Sequence, residues 1–174
     1  IQIESENAAE ANARLQQLQE DPDVQKIIYN FSSYMQVNDI ETMVYTADFS
    51  LYENQNIIYK GRFPKYDNEI AIGASLAEKL NKAVGDDLSI SINGNTQQYL
   101  ITGLSQGSNY FGREMYMTPK GYLHLFPDYQ FKTLAVYLDA YADRDEFIKY
   151  LETTTNDQKI TITNHYGIIE ASLG

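Results

Sequence analysis

The sequence predicts an α+β fold. Both chain ends build one mixed sheet carrying two helices, and a smaller α/β lobe rich in β-hairpins is inserted between them. Three observations lead there. The first segment reads helix–strand–strand and the last reads strand–helix–strand, so the two can share a sheet with both helices on a face. Between them, residues 61–104 hold a compact strand–helix–turn–strand unit whose boundaries are each marked by local chemistry. The 174 residues, 43% hydrophobic and 21% charged, give a globular composition with length for one domain with a real core or two small lobes. The end lobe is assigned to residues 1–49 and 130–174, and the inserted lobe to residues 50–129.

The first helix covers residues 6–20, with Ala8, Ala11, Leu15 and Leu18 along one side. Asp21-Pro22 ends it, because the residue before proline avoids the α region. A strand over residues 27–37 and another over 41–47 flank the turn signal Asn38-Asp39 and pair as a hairpin. Residues 50–56 are polar and tyrosine-containing, and read as a loop at the lobe boundary.

Residues 69–72 then read as a short buried strand. Ser75 and Glu78 have the S-x-x-E spacing of a capping box at a helix start. Leu76, Ala77, Leu80 and Val84 give that helix one apolar face. Gly85-Asp86 is the expected helix stop, where a left-handed conformation is needed, and Gly61 follows an apolar strand-like run; both glycines are assigned architectural roles. Leu88, Ile90 and Ile92 alternate as a strand. Asn93-Gly94 suits a type I′ hairpin turn, and Tyr99, Ile101 and Gly103-Leu104 form the return strand.

Residues 105–114 are a glycine-flanked loop, and residues 115–117 a short strand. Thr118 is an N-cap with Pro119 at the first helical position, so a short helix runs to about Leu125. Residues 131–138 are a strand in which Leu134, Val136 and Leu138 alternate with Ala135 and Tyr137. Asp143 caps a helix whose stripe is Phe147, Tyr150 and Leu151. Residues 159–163 alternate Ile160 and Ile162 as a strand, and the segment from Asn164 through Ile168, Ile169 and Leu173 is a helix candidate.

The order of these motifs (G-R, then N-E-I-A-I, A-x-x-L, V-G-D, a hairpin and I-T-G-L) resembles the extracytoplasmic core domain of MacB-like and FtsX-like ABC transporter permeases. The resemblance is strongest over residues 61–104 and extends more weakly over nearly the whole chain. It implies a domain set between the first two transmembrane helices. A porter-like lobe would come from both ends of the segment, with a second lobe inserted. It also implies a non-catalytic role, coupling ATP-driven membrane movement to export, extraction or signalling outside the membrane. On this likeness the chain has no catalytic residue, cofactor or metal. Its expected partners are a cytoplasmic ATPase subunit reached through the membrane part, a second permease copy or paralogue, and an accessory extracytoplasmic protein. The expected location is the cell membrane, with this domain on the extracytoplasmic side. Ile1 stands where a start Met would, so the chain is read as an excised fragment.

Composition narrows the alternatives. A formal charge of −11 argues against nucleic acid, since no basic patch is available to neutralise phosphates, and against tight docking on an anionic membrane. The absence of cysteine removes disulfides, thiol nucleophiles and thiolate metal sites. The two histidines, His124 and His165, lack an H-x-x-x-H or H-x-E partner. Asp21/Asp23 and Asp86/Asp87 lack calcium-loop spacing and suit turns and helix starts. Gly107-Ser108-Asn109 lacks the flanks of a nucleophile elbow, and the glycines of residues 103–112 are followed by no G-K-[ST].

Among 15 tyrosines and 7 phenylalanines, many fall at alternate strand positions, such as Tyr29, Phe31 and Tyr137, and are ordinary core or sheet-face residues. Tyr110 and Phe111 differ, because they lie in a loop bounded by Gly107 and Gly112. An exposed aromatic pair in such a loop marks a partner contact, and these two are the candidate site residues. A freestanding surface-binding or adhesion module accounts for aromatic loops and acidity equally well. A carboxylate-based hydrolase stays open only if two buried carboxylates share a pocket.

Overall fold

The computed structural model describes residues 1–52, 56–107, 109–154 and 161–163. In chain order the first elements are β1 (Gln2–Glu4), α1 (Ala8–Gln19), β2 (Val24–Tyr29), β3 (Phe31–Val37) and β4 (Ile40–Thr46). Next come β5 (Ile58–Gly61), β6 (Glu69–Gly73), α2 (Ala74–Leu80), β7 (Asp87–Ile92), β8 (Asn95–Ser105) and β9 (Glu114–Met117). The last are α3 (Pro119–Leu125), β10 (Thr133–Leu138), α4 (Arg144–Thr154) and β11 (Thr161–Thr163). They divide into two compact units, one from residues 1–29 with 130–174 and one from residues 30–129.

The unit built from both ends is an antiparallel sheet in the order β11-β1-β10-β2. Ile3 pairs with Leu134 and shares a face with Val136. Leu18 of α1 and Phe147 and Leu151 of α4 close over that face, so both helices cover the same side. Each helix starts on a side-chain cap that satisfies an otherwise free backbone donor. Asn7 accepts from the Glu10 amide at 2.9 Å, and Asp143 accepts from the Glu146 amide at 3.0 Å. Gln2 stands opposite Thr163, which puts the start of β1 beside the end of β11.

The second unit is a mixed sheet in the order β3-β4-β9-β6-β8-β5, with β7 also paired to β8. The β4–β9 and β6–β8 pairs are parallel. Central β6 is buried along its whole length, as its continuous Glu-Ile-Ala-Ile-Gly run requires. Asn38-Asp39 (φ 48° and 66°) and Asn93-Gly94 (φ 50° and 80°) make the two tight hairpins, with the positive φ pair of a type I′ turn. Thr118 caps α3 by accepting from the Gly121 amide at 3.0 Å.

Several boundaries differ from the sequence reading. The run over residues 27–37 is two strands that belong to different sheets. Tyr29 stacks on Phe131 at 5.6 Å, whereas Phe31 packs against Tyr122 and Tyr129, so successive aromatic residues commit the chain to different cores on either side of Asn30. Because β4 then pairs with β9, the β3–β4 hairpin belongs to the inserted unit. That unit therefore begins at Asn30 rather than at Ser50, and it carries the larger sheet. The mixed sheet is the inserted one, and the sheet of the chain ends is antiparallel. Strand β1 went unread because its single buried residue, Ile3, has no period to detect.

Helix α2 begins one residue before Ser75, on Gly73, without a side-chain cap bond, so the capping box does not form. The helix also stops earlier than expected, at Asn81, whose φ of 53° supplies the left-handed residue. Gly85 does adopt a positive φ, 95°, but in the following turn, where its amide donates to the Ile101 carbonyl at 2.8 Å. Gly61 is also left-handed, with φ 77°, and a Cβ there would strike the Thr102 carbonyl oxygen. His165 and the helix candidate after Asn164 lie outside the described residues.

Candidate functional site

The loop from the end of β8 to the start of β9 brings Tyr110 and Phe111 to the surface of the inserted unit. Both are left-handed, at φ 49° and 58°, and Gly112 follows at φ 73°. Bulky L-residues rarely occupy this region, and each costs of order 1–3 kcal/mol unless its surroundings enforce it. Here the enforcement is visible. The Gly112 backbone lies against Gly73 and Ser75, so close that a Cβ on Gly73 would strike the Gly112 carbonyl. The Arg113 amide donates to the Tyr110 carbonyl at 3.1 Å, and the Arg113 carbonyl accepts from the Met43 amide at 2.9 Å. The loop is thus pinned to β4 and to the start of α2.

The two rings meet different environments. Phe111 is 82% exposed. Tyr110 is half-buried, edge-on to Tyr34 with centroids 5.2 Å apart. Its hydroxyl donates to the Glu41 carboxylate, and that bond first, then burial, holds the phenol above its ordinary pKa. The Arg113 guanidinium lies 4.7 Å from the Tyr110 centroid and 5.9 Å from that of Phe111, within cation–π range of both. Phe111 and the half-exposed Tyr59 also rim an open depression of about 640 Å³, floored by Ala74, Gly107 and Gly112. Tyr34, Tyr110 and Phe111 form a run of ring contacts, and Tyr59 lines the same depression as Phe111; the sequence had singled out only Tyr110 and Phe111.

Beneath the loop lies a residue that the sequence reading missed. Glu114, the first residue of β9, is fully buried. Its Oε1 accepts from Ser105 Oγ at 2.6 Å, and Oε2 has no partner among the described residues. Burial raises its pKa, against the opposing effect of its hydrogen bonds to Ser105 and Tyr116. Gly107 packs directly on this carboxyl, and a Cβ there would strike Oε1. A carboxylate opening the apolar run Met115-Tyr116-Met117 was the available signal.

A second buried carboxylate, Glu69, does something else. Its Oε1 and Oε2 accept from Arg62 Nη2 and Nη1 at 2.6 and 2.8 Å, and Oε2 also accepts the Lys65 and Tyr66 amides. The Arg62 hydrogen bond is the main reason its pKa falls to about 2. A carboxylate this fully satisfied is a clamp on residues 62–69 rather than a reactive group. The two buried carboxylates are thus shifted in opposite directions by different surroundings, Glu69 downward by its Arg62 bond and Glu114 upward by burial. His124 is exposed on the last turn of α3. Among the described residues no cluster of His, Asp or Glu has the arrangement to hold a metal ion, and no helix is long and apolar enough to cross a membrane.

No protein-family model matches the chain, and no curated protein matches it by sequence. Solved structures do share its fold. The periplasmic region of MacB from Actinobacillus actinomycetemcomitans superposes with a TM-score of 0.65 at 13% identity, covering 97% of this chain and 83% of that one. The extracellular domain of the noncanonical ABC-type transporter YknZ from Gram-positive bacteria gives 0.58 at 13% identity, covering 93% and 100%. A domain of a permease protein from Porphyromonas gingivalis gives 0.52 at 17% identity, covering 94% and 85%.

Proposed function

We propose that this chain is an extracytoplasmic domain of an ABC transporter permease. It is a non-catalytic element that couples ATP-driven movement in the membrane to export, extraction or signalling outside it. The observation that carries the reading is the agreement of fold with the MacB periplasmic region over 97% of the chain. The pairing of Gln2 with Thr163 supports it, because a domain entered and left at one edge suits two flanking segments that return to the same membrane. In this reading the unit formed by both ends is the porter-like lobe, and residues 30–129 are the inserted lobe. The working partners are a cytoplasmic ATPase subunit, a second permease copy or paralogue, and an accessory extracytoplasmic protein. Tyr110 and Phe111 make a contact with one of these outside the membrane.

The test starts from topology. Tyr141 is 98% exposed. With Tyr141→Cys in the parent protein, a membrane-impermeant maleimide should label intact cells, and the parent should co-purify with an ATPase. Labelling only after lysis would refute the reading. Labelling of intact cells without an ATPase would favour a freestanding surface module. Replacing Tyr110 and Phe111 together by Ala should impair transport while leaving the fold intact, because loss of such an aromatic anchor removes about 1–3 kcal/mol of binding.

A further inference from the structure

We propose that the free edge of β3 is a self-pairing surface: two copies of this chain join antiparallel along residues 32–36, with Tyr34 facing the partner's Tyr34 across a two-fold axis. The purpose of the contact rests on the permease reading, in which a second copy stands in the same membrane. The contact itself is readable in the purified chain.

Strand β3 ends its sheet and is bonded to β4 alone. Val37 and Ile40 flank the two-residue Asn38-Asp39 turn and form a hydrogen-bonded pair, so by the alternation of an antiparallel ladder Met35, Ser33 and Phe31 also bond toward β4. Ser32, Tyr34 and Gln36 therefore turn their amides and carbonyls the other way. Strand β4 has the matching phase, because Met43, opposite Tyr34, sends its amide away from β3 to the Arg113 carbonyl at 2.9 Å. Among the described residues no backbone group bonds Ser32, Tyr34 or Gln36 along the outer edge, and the Tyr34 carbonyl accepts the Ser33 hydroxyl at 3.2 Å. Strand β7 approaches β3 without forming a ladder, and all three residues are exposed.

Edge strands are normally protected from pairing by charge, bulges or short length. Strand β2 carries Lys26 and a register shift, β5 carries Lys60, a register shift and the left-handed Gly61, and β7 carries Asp87. Strand β3 has none of these devices. Its seven residues keep an unbroken register and include no charge, proline or glycine, and Asn30 and Asn38 extend the neutral run. In a chain of charge −11, this is an edge at which two copies can meet without opposing charges. Paired about Tyr34, each copy sets Ser32 against the partner's Gln36, and every outward amide meets a carbonyl. The two Tyr34 rings then lie side by side on one face and extend the contact that Tyr34 makes with Tyr110. Glu41, opposite Gln36 on β4, is the carboxylate to keep apart. Four residues along the strands and three strand spacings across them separate the two Glu41 positions by about 20 Å, well beyond the screening length of about 8 Å at physiological salt.

The experiment is disulfide trapping on the complete 174-residue chain, which has no cysteine of its own. Directly opposite residues of a hydrogen-bonded pair have Cα atoms about 5.5 Å apart, inside the roughly 4.4–6.8 Å span of a disulfide. Tyr34→Cys should thus form a linked dimer on mild oxidation. It should do so at least about tenfold faster than Tyr141→Cys, which is 98% exposed and reports random collision, because the bond forms within an assembled pair. Ser32→Cys alone and Gln36→Cys alone should link no faster than Tyr141→Cys, since like positions are about 14 Å apart in this register. A mixture of the two should link quickly, and it gives a second reading should Tyr34→Cys not fold. Gln36→Pro removes one outward amide while sparing the bonds to β4, and should slow Tyr34→Cys to the collision rate. Tyr34→Cys linking only at that rate, or Ser32→Cys alone linking as fast as the mixture, would overturn the pairing. So would a Tyr34→Cys chain that stays single when pure and links only to a different protein in cells. None of these outcomes bears on the permease reading, which stands or falls on surface labelling and co-purification of an ATPase.

Discussion

Replacing Glu69 by Gln should destabilise the inserted unit by about 2 kcal/mol at neutral pH, and the deficit should vanish in acid. The substitution keeps the shape of the side chain but removes the charge that Arg62 grips in a bidentate pair. Each tenfold change in proton affinity is worth about 1.4 kcal/mol, so a fall in pKa from 4.5 to about 2 sets a ceiling of about 3 kcal/mol. The Arg62 side chain is 43% exposed while that of Glu69 is 6% exposed, so solvent screens part of the interaction and brings the expectation to about 2 kcal/mol. The pKa is lowered in the folded state, so the stabilisation is complete above 4.5 and is lost as pH falls from there toward about 2. The assay is urea unfolding followed through the amide signals of Ile70, Ala71 and Ile72, which report this unit even if the other unfolds separately. Equal stability of variant and wild type at neutral pH would refute the argument. So would a deficit of the same size at about pH 2, where Glu69 is half protonated or more.

Gly61→Ala should be the more damaging of two glycine substitutions, because it adds a clash with the Thr102 carbonyl to the cost of a left-handed residue; a drop in melting temperature smaller than that of Gly85→Val would count against this. Gly85→Val meets open space, so its cost is the backbone conformation alone, about 1–2 kcal/mol, read as a lower melting temperature with unchanged circular dichroism. Glu114→Gln should gain stability relative to wild type as pH rises. The raised pKa means that the folded state holds a proton the unfolded state has released, so wild-type stability falls with pH there; parallel pH profiles for the two proteins would contradict it. Asp143→Ala should cost about 1 kcal/mol by freeing the Glu146 amide at the start of α4, checked by thermal melts of the variant against Asp143→Asn.

Much of the fold was legible where local chemistry and tertiary packing agree. Thr118-Pro119 and Asp143 start helices because a hydroxyl or carboxylate can reach a free amide whatever lies beyond. Asn38-Asp39 and Asn93-Gly94 turn the chain because their backbone region is a property of the residues themselves. Ser75 misled because Gly73 supplies the extended backbone that starts α2, and the helix has begun before Ser75 can cap it. Gly85 misled in the same way, because Asn81 takes the left-handed position first. The change of sheet at Asn30 left no trace in the period, since strands β2 and β3 read as one run. Which sheet each joins is decided by partners about 15 to more than 100 positions away, Thr46 opposite Phe31 and Leu134 opposite Tyr29.

The sequence singled out the aromatic loop by composition, and the structure adds its backbone. Its legible part was compositional, two large rings between glycines. Its illegible part was the backbone, since nothing local obliges Tyr110 and Phe111 to take a conformation suited to glycine or asparagine. A chain selected only for stability would place a small residue at Phe111, where the ring is 82% exposed and contributes little to its own core. Instead the loop holds an exposed ring in a strained conformation, beside the buried Glu114 on which Gly107 packs. Local preference and global arrangement agree through most of this chain and conflict at residues 110–114. Such conflict is expected where a surface is kept for use rather than for packing. The strain also makes a separable demand: Phe111→Gly should stabilise the domain while weakening the partner contact proposed for it. A less stable Phe111→Gly would instead mean that the lost ring contacts and glycine's greater unfolded-state freedom outweigh the left-handed penalty, and would count against strain at this residue.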